Sequence, residues 1–221
     1  MKLVTFQTKK ALAILKKKSV LCADEAYINL KKYGFPYDWM VHEMKRRKIC
    51  PKNRENYPLW AWAKCGASIA PPKRKNIFDV KQELVKITFE KSDDEVLISD
   101  YMAYSFLLNG HIVPKTKAEY KQFLKEIGEK GISSENLKAF VRKEKQSQKV
   151  VGLFPKIKKT WARIFDLKSP MRQACVWNIK MSEILKIETL NDPKYIYGTM
   201  NAKRADGSRP DWKKRYLQFL K

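Results

Sequence analysis

A chain of 221 residues with 44% hydrophobic and 12% aromatic residues can bury one substantial core, which excludes a wholly disordered protein. Lysine and arginine number 47 against 23 acidic residues, a formal net charge of +24, so a polyanion is the expected partner class. No apolar run reaches the roughly 18 to 20 residues that span a bilayer, and the basic N-terminus lacks a secretory signal's apolar stretch, so a cytoplasmic protein with no membrane partner is expected.

In chain order, "KLVTFQT" alternates as a first strand, and "KKALAILKKKSVL" follows with apolar residues in a mostly helical rhythm. Tyr33, Gly34, Phe35 and Pro36 are expected to break the chain before a helix that holds "YDWMVHEMKRRK" and stops by Pro51. In that helix Trp39 or Met40, Val41, Met44 and Ile49 can share the core side, leaving Lys45, Arg46, Arg47 and Lys48 largely in water and His42 at the surface or edge. "YPLWAWAK" predicts a strand with Tyr57, Leu59 and Ala61 on one face and Trp60 and Trp62 on the other; "IAPPKRKN" is a loop. "LVKITFEK" and "EVLISDY" are two more strands, and the apolar helix "YMAYSFLLNG" closes at Gly110.

Residues 115 to 150 predict two charged helices around Gly131, the second capped by Ser133 or Ser134. "FPKIKKTWARIFDL" is a helix, "RQACVWNIK" a strand, and "MSEILKIETL" a turn and strand. The tail "GSRPDWKKRYLQFL" predicts a helix with Ser208 as cap, Pro210 in the first turn, and Trp212, Tyr216 and Phe219 at helical spacing. The organisation is α/β (α+β): residues 1–114 and 151–190 form one core, 115–150 a helical insertion and 191–221 a basic tail helix.

Chemistry-bearing patterns are sparse. With 8 glycines, neither G-x-x-x-x-G-K nor G-x-G-x-x-G occurs, which excludes P-loop and Rossmann sites. The four cysteines, Cys22, Cys50, Cys65 and Cys175, have no zinc or disulfide spacing and read as buried thiols in a reducing compartment. Two histidines, His42 and His111, do not furnish a His-rich metal site. Asp93, Asp94, Glu95 and Asp100 form a carboxylate cluster, but the first two sit in a turn and no second acidic cluster with a nearby lysine completes a nuclease pattern; no metal is expected.

The positive charge is densest late in the chain, where residues 141–221 hold 20 basic against 7 acidic side chains. Basic and aromatic residues interleave there, as a surface that neutralises phosphates and stacks bases requires. The candidate nucleic-acid footprint is Arg46, Arg47, Lys158, Lys159, Arg163, Lys203, Arg204, Arg209, Trp212, Lys213, Lys214 and Arg215. Trp161 reads as core, and Trp212 is open between core and stacking. Charge reversal at Arg46 and Arg47 is expected to weaken binding without unfolding.

Six ordered pieces, "LVTFQT", "YDWM", "YPLWAW", "EVLISDY", "WARIFDL" and "RQACVWNIK", resemble a bacterial and phage family catalogued as a domain of unknown function. The layout of "VTFQTKKALAILKKKSVL" is also similar to the opening strand and helix of DNA-modifying ADP-ribosyltransferases. "RQACVWNIK" resembles the strand that carries their catalytic glutamate. That resemblance implies a split sheet, NAD as the candidate cofactor, Gln173 at the catalytic position, Gln7 at the nicotinamide-side histidine, and Thr8, Tyr37 and Trp39 in the pocket. An amide at the glutamate position would stabilise an oxocarbenium-like transition state far less than a carboxylate. Two functions follow as expectations. One is a non-catalytic protein, phage-borne or on a mobile element, that occupies DNA, RNA or a nucleoprotein complex such as a defence effector. The other is an NAD-dependent ADP-ribosyltransferase acting on nucleic acid or on a protein bound to it.

Overall fold

The structure, a computed structural model, describes residues 1–25, 28, 30–53, 55–63, 84–137, 152–190 and 212–220, with backbone alone for 30–34, 190, 212, 214 and 215. Strands β1 (Lys2–Thr8), β2 (Val20–Cys22), β3 (Leu59–Ala63), β4 (Leu84–Glu90), β5 (Leu97–Asp100), β6 (Arg172–Val176), β7 (Asn178–Lys180) and β8 (Ile184–Leu190) alternate with helices in an α+β fold. Among the described residues the α-helices are α1 (Lys9–Lys18), α2 (Leu30–Arg46), α3 (Tyr101–Leu108), α4 (Lys117–Glu129), α5 (Leu153–Thr160) and α6 (Trp212–Leu217). The chain falls into two units: a sheet unit of Met1–Ile98 with Arg172–Pro210, and a helical unit of Ser99–Met171 with Asp211–Lys221. The helical unit takes in far more than residues 115–150.

The main sheet runs β5-β6-β3-β1-β4-β8, and β2 and β7 form a second antiparallel pair. β1 pairs antiparallel with β4 along its whole length, from Lys2 opposite Glu90 to Thr8 opposite Leu84. Leu3, Leu59, Ala61, Ala63, Val85, Ile87, Phe89, Ala174 and Val176 line one face of the sheet. Leu15 of α1, Leu21 of β2 and Ile179 of β7 close over them. Thr8 starts α1 by accepting a hydrogen bond from the Ala11 amide at 3.1 Å. The helix ends at Ser19 in the left-handed conformation, φ 58°, so Val20 and Leu21 belong to β2 rather than to α1.

Two elements depart from the sequence expectation. α2 begins at Leu30 and runs through Pro36 instead of starting after it. Proline removes one backbone donor, but its ring is buried, as are Trp39, Met40 and Met44 further along, and that burial offsets the lost bond. "RQACVWNIK" is two strands, β6 and β7, which belong to different sheets. Between them Trp177 leaves the ladder, 4% exposed, and donates its indole N–H to the Ile49 carbonyl at 2.9 Å.

In the helical unit, α3 is apolar on nearly every side and buried from Met102 to Leu107. Its cap is the fully buried Asp100, which accepts from the Met102 and Ala103 amides at 3.0 and 3.1 Å and from the Ser169 hydroxyl at 2.7 Å. The expected helix "FPKIKKTWARIFDL" is α5 followed by a 3-10 segment, Trp161–Asp166. Trp161 is fully buried and donates to the His111 carbonyl at 2.9 Å. α6 buries Tyr216, but Phe219, just beyond it, is 42% exposed, and Leu220, four residues after Tyr216 and 5% exposed, takes the core place expected of Phe219. Residues 64–83, 138–151 and 191–211, which hold the expected loop "IAPPKRKN", much of the second charged helix, Ser208 and Pro210, lie outside the described residues.

A polar knot ties the sheet unit together. Lys91, just past β4, has a side chain 2% exposed. Its ammonium donates to Glu183 Oε1 and Oε2 at 2.8 and 3.0 Å and to Asn178 Oδ1 at 3.1 Å. Asn178 in turn donates to Glu55, which also accepts from the Asn53 amide, each at 2.8 Å. Removing a buried cation from such a knot leaves its carboxylates uncompensated. Lys91→Met is expected to lower the unfolding free energy by about 3 to 5 kcal/mol, measured by urea denaturation, with the cost reduced in a Lys91→Met, Glu183→Gln double variant.

Candidate nucleic-acid interface

The end of α2 is built from backbone outward. Ile49 N–H donates to the Met44 carbonyl at 2.9 Å and Lys48 N–H to the Lys45 carbonyl at 2.9 Å, while Lys48 takes φ 63°. This is the Schellman termination, whose left-handed residue is usually glycine. α3 and α4 end the same way with glycine in that place: Gly110 at φ 71° and Gly131 at φ 66°. At the end of α2 an L residue with a side chain stands there, an exposed lysine, as left-handed Ser19 stands at the end of α1.

The four basic residues at this terminus are not equivalent. Glu43 is 6% exposed, and Arg46 holds it through two guanidinium nitrogens at 2.7 and 3.1 Å while Arg47 Nε stands 3.7 Å away. Arg46 and Arg47 therefore neutralise a buried carboxylate. Reversing both charges would set two more carboxylates beside it, so the expectation that this change spares the fold is corrected. Lys45 and Lys48 have no ion pair among the described residues and both are exposed.

Lys48 also lines a pocket of about 100 Å³ whose other polar residues are Lys52, Lys91, Asp94, Glu95 and Asn178, with Ile49, Cys50 and Trp177 as its remaining wall. Lys52 pairs with Glu95 at 2.7 Å, which holds the Glu95 carboxyl below its usual range. Lys91 and Lys180 also act on Glu95 electrostatically. On the same side, Ser19 accepts from the Met181 amide at 2.9 Å, bringing the end of α1 beside Lys180. α1 itself carries five lysines and no acid in ten residues, with Lys16, Lys17 and Lys18 exposed in its last turn. Within the sheet unit a basic track thus runs from Lys18 past Lys180, Lys52 and Lys48 to Lys45.

An aromatic group lies two turns back along α2. Tyr37 has its ring centroid 5.9 Å from Tyr57 and 5.7 Å from Trp60, near perpendicular to both. All three rings are half-buried. Tyr57, outside β3, donates its hydroxyl to Asp38 Oδ1 at 3.2 Å, and burial and that carboxylate together raise the phenol above its ordinary range. Trp39 is 7% exposed, a core residue and no pocket wall.

The two glutamines do not meet. Val4 is opposite Trp62, and Trp62 is opposite Gln173, so these three share one face, and Trp60, two residues from Trp62, shares it too. Gln7, three residues beyond Val4, points to the other face, where its amide donates to Thr5 Oγ1 at 2.9 Å. Gln173 is 5% exposed. The cleft with both amides on one ligand, implied by the resemblance to ADP-ribosyltransferases, is not formed, and the Thr8 hydroxyl is used as the cap of α1.

In the helical unit, Arg163 donates to the Val113 carbonyl and to Glu119, both at 2.8 Å, and is half-buried, so it sews α4 to its neighbours. Lys158 and Lys159 are exposed on α5. Lys213 is half-buried with its ammonium 3.2 Å from His111 Nε2. Only the backbone of Trp212, Lys214 and Arg215 is described, and Lys203, Arg204 and Arg209 lie outside the described residues. The sequence pattern does not single out Lys16, Lys17, Lys18, Lys52, Lys91 or Lys180. Lys52, Lys91 and Lys180 stand singly and give no local signal, and the left-handed conformation of Lys48 has none either; the run of Lys16, Lys17 and Lys18 is visible in the sequence, but its place beside Lys180 is not.

A family model described as Domain of unknown function (DUF3841) matches residues 2–185. The chain belongs to that family. No curated protein and no solved structure matches it. Among the described residues no helix is long and apolar enough to cross a membrane, and no cluster of His, Cys, Asp and Glu is placed to hold a metal ion.

His111 sits fully buried among Phe106, Tyr120 and Phe123, and burial, with the Lys213 charge, pushes its pKa down to about 3. The fold therefore favours neutral imidazole. The resulting stabilisation is complete above the unfolded value near 6.5 and is lost as pH falls toward 3. Between pH 6.5 and 5, above the ordinary carboxylate range, unfolding free energy should fall by up to about 1.4 kcal/mol per pH unit. His111→Gln should flatten that slope in urea titrations across the same range.

Proposed function

We propose that the protein is a non-catalytic binder of nucleic acid, free or within a nucleoprotein complex, and that it grips phosphates with the basic track of the sheet unit. One observation carries this reading: at the head of the track an exposed lysine, Lys48, holds the left-handed conformation (φ 63°) that glycine holds at the ends of α3 and α4, as Ser19 also holds it at the end of α1. The conformation disfavours any side chain by roughly 1 to 2 kcal/mol. Lys48 contributes nothing to the turn that glycine would not supply, whereas its ammonium adds a cation beside Lys45 and Lys52. The overall charge of +24 points the same way. An ADP-ribosyltransferase site is less well supported, since Gln7 and Gln173 face opposite sides of the sheet.

Lys48→Gly separates conformation from binding. It should raise the unfolding free energy by about 1 kcal/mol and at the same time weaken nucleic-acid binding. In a titration of affinity against salt, each lost phosphate contact should lower the log-log slope by about 0.7 to 0.9. Combined with Lys45→Gln, the slope should drop by about twice that. A Lys48→Gly protein that is more stable and binds with unchanged slope would remove this helix end from the interface. Wild-type protein that binds neither DNA nor RNA at low salt would overturn the proposal.

A further inference from the structure

The basic track says how phosphates are held and leaves open whether the bases are paired. Resting on the nucleic-acid reading above, we infer that the sheet unit binds unpaired strands, with bases stacking on a platform made by Tyr37, Tyr57 and Trp60.

Three features lead there. Tyr37 is on α2 and Trp60 on β3, on the sheet face opposite the packed core of Leu59, Ala61 and Ala63. The rings meet at 5.7 and 5.9 Å with interplanar angles of 79° and 76°. Edge-on packing of this kind holds the rings in place, and each of the three residues is only partly buried. Second, Tyr37, Val41 and Lys45 follow one another at four-residue spacing, so they lie along one flank of α2. Ring and ammonium are about 12 Å apart along the helix axis, the reach of a few nucleotides. Lys48 and Lys52 extend the same path. Third, paired bases hide their faces within the stack, so a duplex could use the lysines but not the rings. An unpaired strand uses both, and any base stacks on an aromatic face whatever its identity.

Asp38 shapes the approach. It is exposed beside Tyr37 and holds the Tyr57 hydroxyl. Its charge repels phosphates from the Tyr57 side, which leaves the Lys45 flank as the route for the backbone. The platform takes unpaired bases on a phosphodiester chain, of DNA or RNA, and contributes no covalent step.

The test measures anisotropy of fluorescein-labelled oligonucleotides of one sequence as single-stranded DNA, single-stranded RNA and duplex DNA, with full-length protein at low salt. At least one single strand should bind about tenfold tighter than the duplex. Trp60→Leu and Tyr37→Leu should each reduce the ratio of single-strand to duplex affinity about tenfold, and Trp60→Phe should recover most of that loss. Asp38→Asn should tighten single-strand binding. If a leucine variant fails to fold, quenching of wild-type tryptophan fluorescence by the single strand, diminished in Trp60→Phe, decides the same question. Equal affinity for single strand and duplex, with the ratio unmoved by both leucine variants and no quenching, would overturn the platform while the basic track stands. Absence of binding to all three oligonucleotides would overturn both.

Discussion

The two faces of the sheet unit depend on the two-residue period of β3. Leu59, Ala61 and Ala63 face the core under α1, and Trp60 and Trp62 face away from it. The small alanines leave room for Leu3, Ile87 and Phe89, all fully buried, whereas an indole in either position would overfill that layer. A slip of one residue against β1 or β6 would exchange the faces. The register that seats Trp60 against Tyr37 is also the one that sets Gln173 in the row of Trp62 and Val4, with Gln7 turned the other way.

Charge is organised by a second constraint, the cost of burying a charge, whether the Glu43 carboxylate or the Lys91 ammonium. Glu43 and Glu183 are satisfied by Arg46 and Lys91, which makes those cations part of the fold. Others in the sheet unit are exposed: Lys16, Lys17 and Lys18 at the end of α1, Lys45 and Lys48 at the end of α2, and Lys52 and Lys180 between them. Lysines in the last turn of a helix also face its negative dipole end favourably, so α1 has a structural use for its own. Lys48 lies beyond the helix in a strained turn, where the conformation favours glycine.

Much of this architecture is legible in the chain itself. The alternation at 2–8 and 84–90 gives β1 and β4, and the core and wet sides of α2 follow from its period, because burial on one face leaves a local trace. Pro36 misleads, since the apolar surface it buries outweighs the donor it lacks. Trp177 misleads differently: its indole leaves the ladder for the Ile49 carbonyl, 128 residues away in sequence, and divides what reads as one strand. The relation of Gln7 to Gln173 passes through the registers of three strands, and the Lys91 knot through four separate segments. Neither can be read from spacing. Tyr37 enters the sequence reading only as a pocket residue implied by the resemblance to ADP-ribosyltransferases; its partners Tyr57 and Trp60 emerge only when α2 is laid against β3.

Contact between bases and the rings of α2 and β3 can be observed directly by photo-crosslinking. Single-stranded RNA carrying 4-thiouridine, and the matching DNA carrying 4-thiothymidine, would be irradiated with the intact protein and the modified peptides sequenced by mass spectrometry. Crosslinks at Tyr37, Tyr57 or Trp60, suppressed by excess unlabelled single strand, are the predicted result. Efficient crosslinking confined to the helical unit, with these three residues unmodified, would contradict the account.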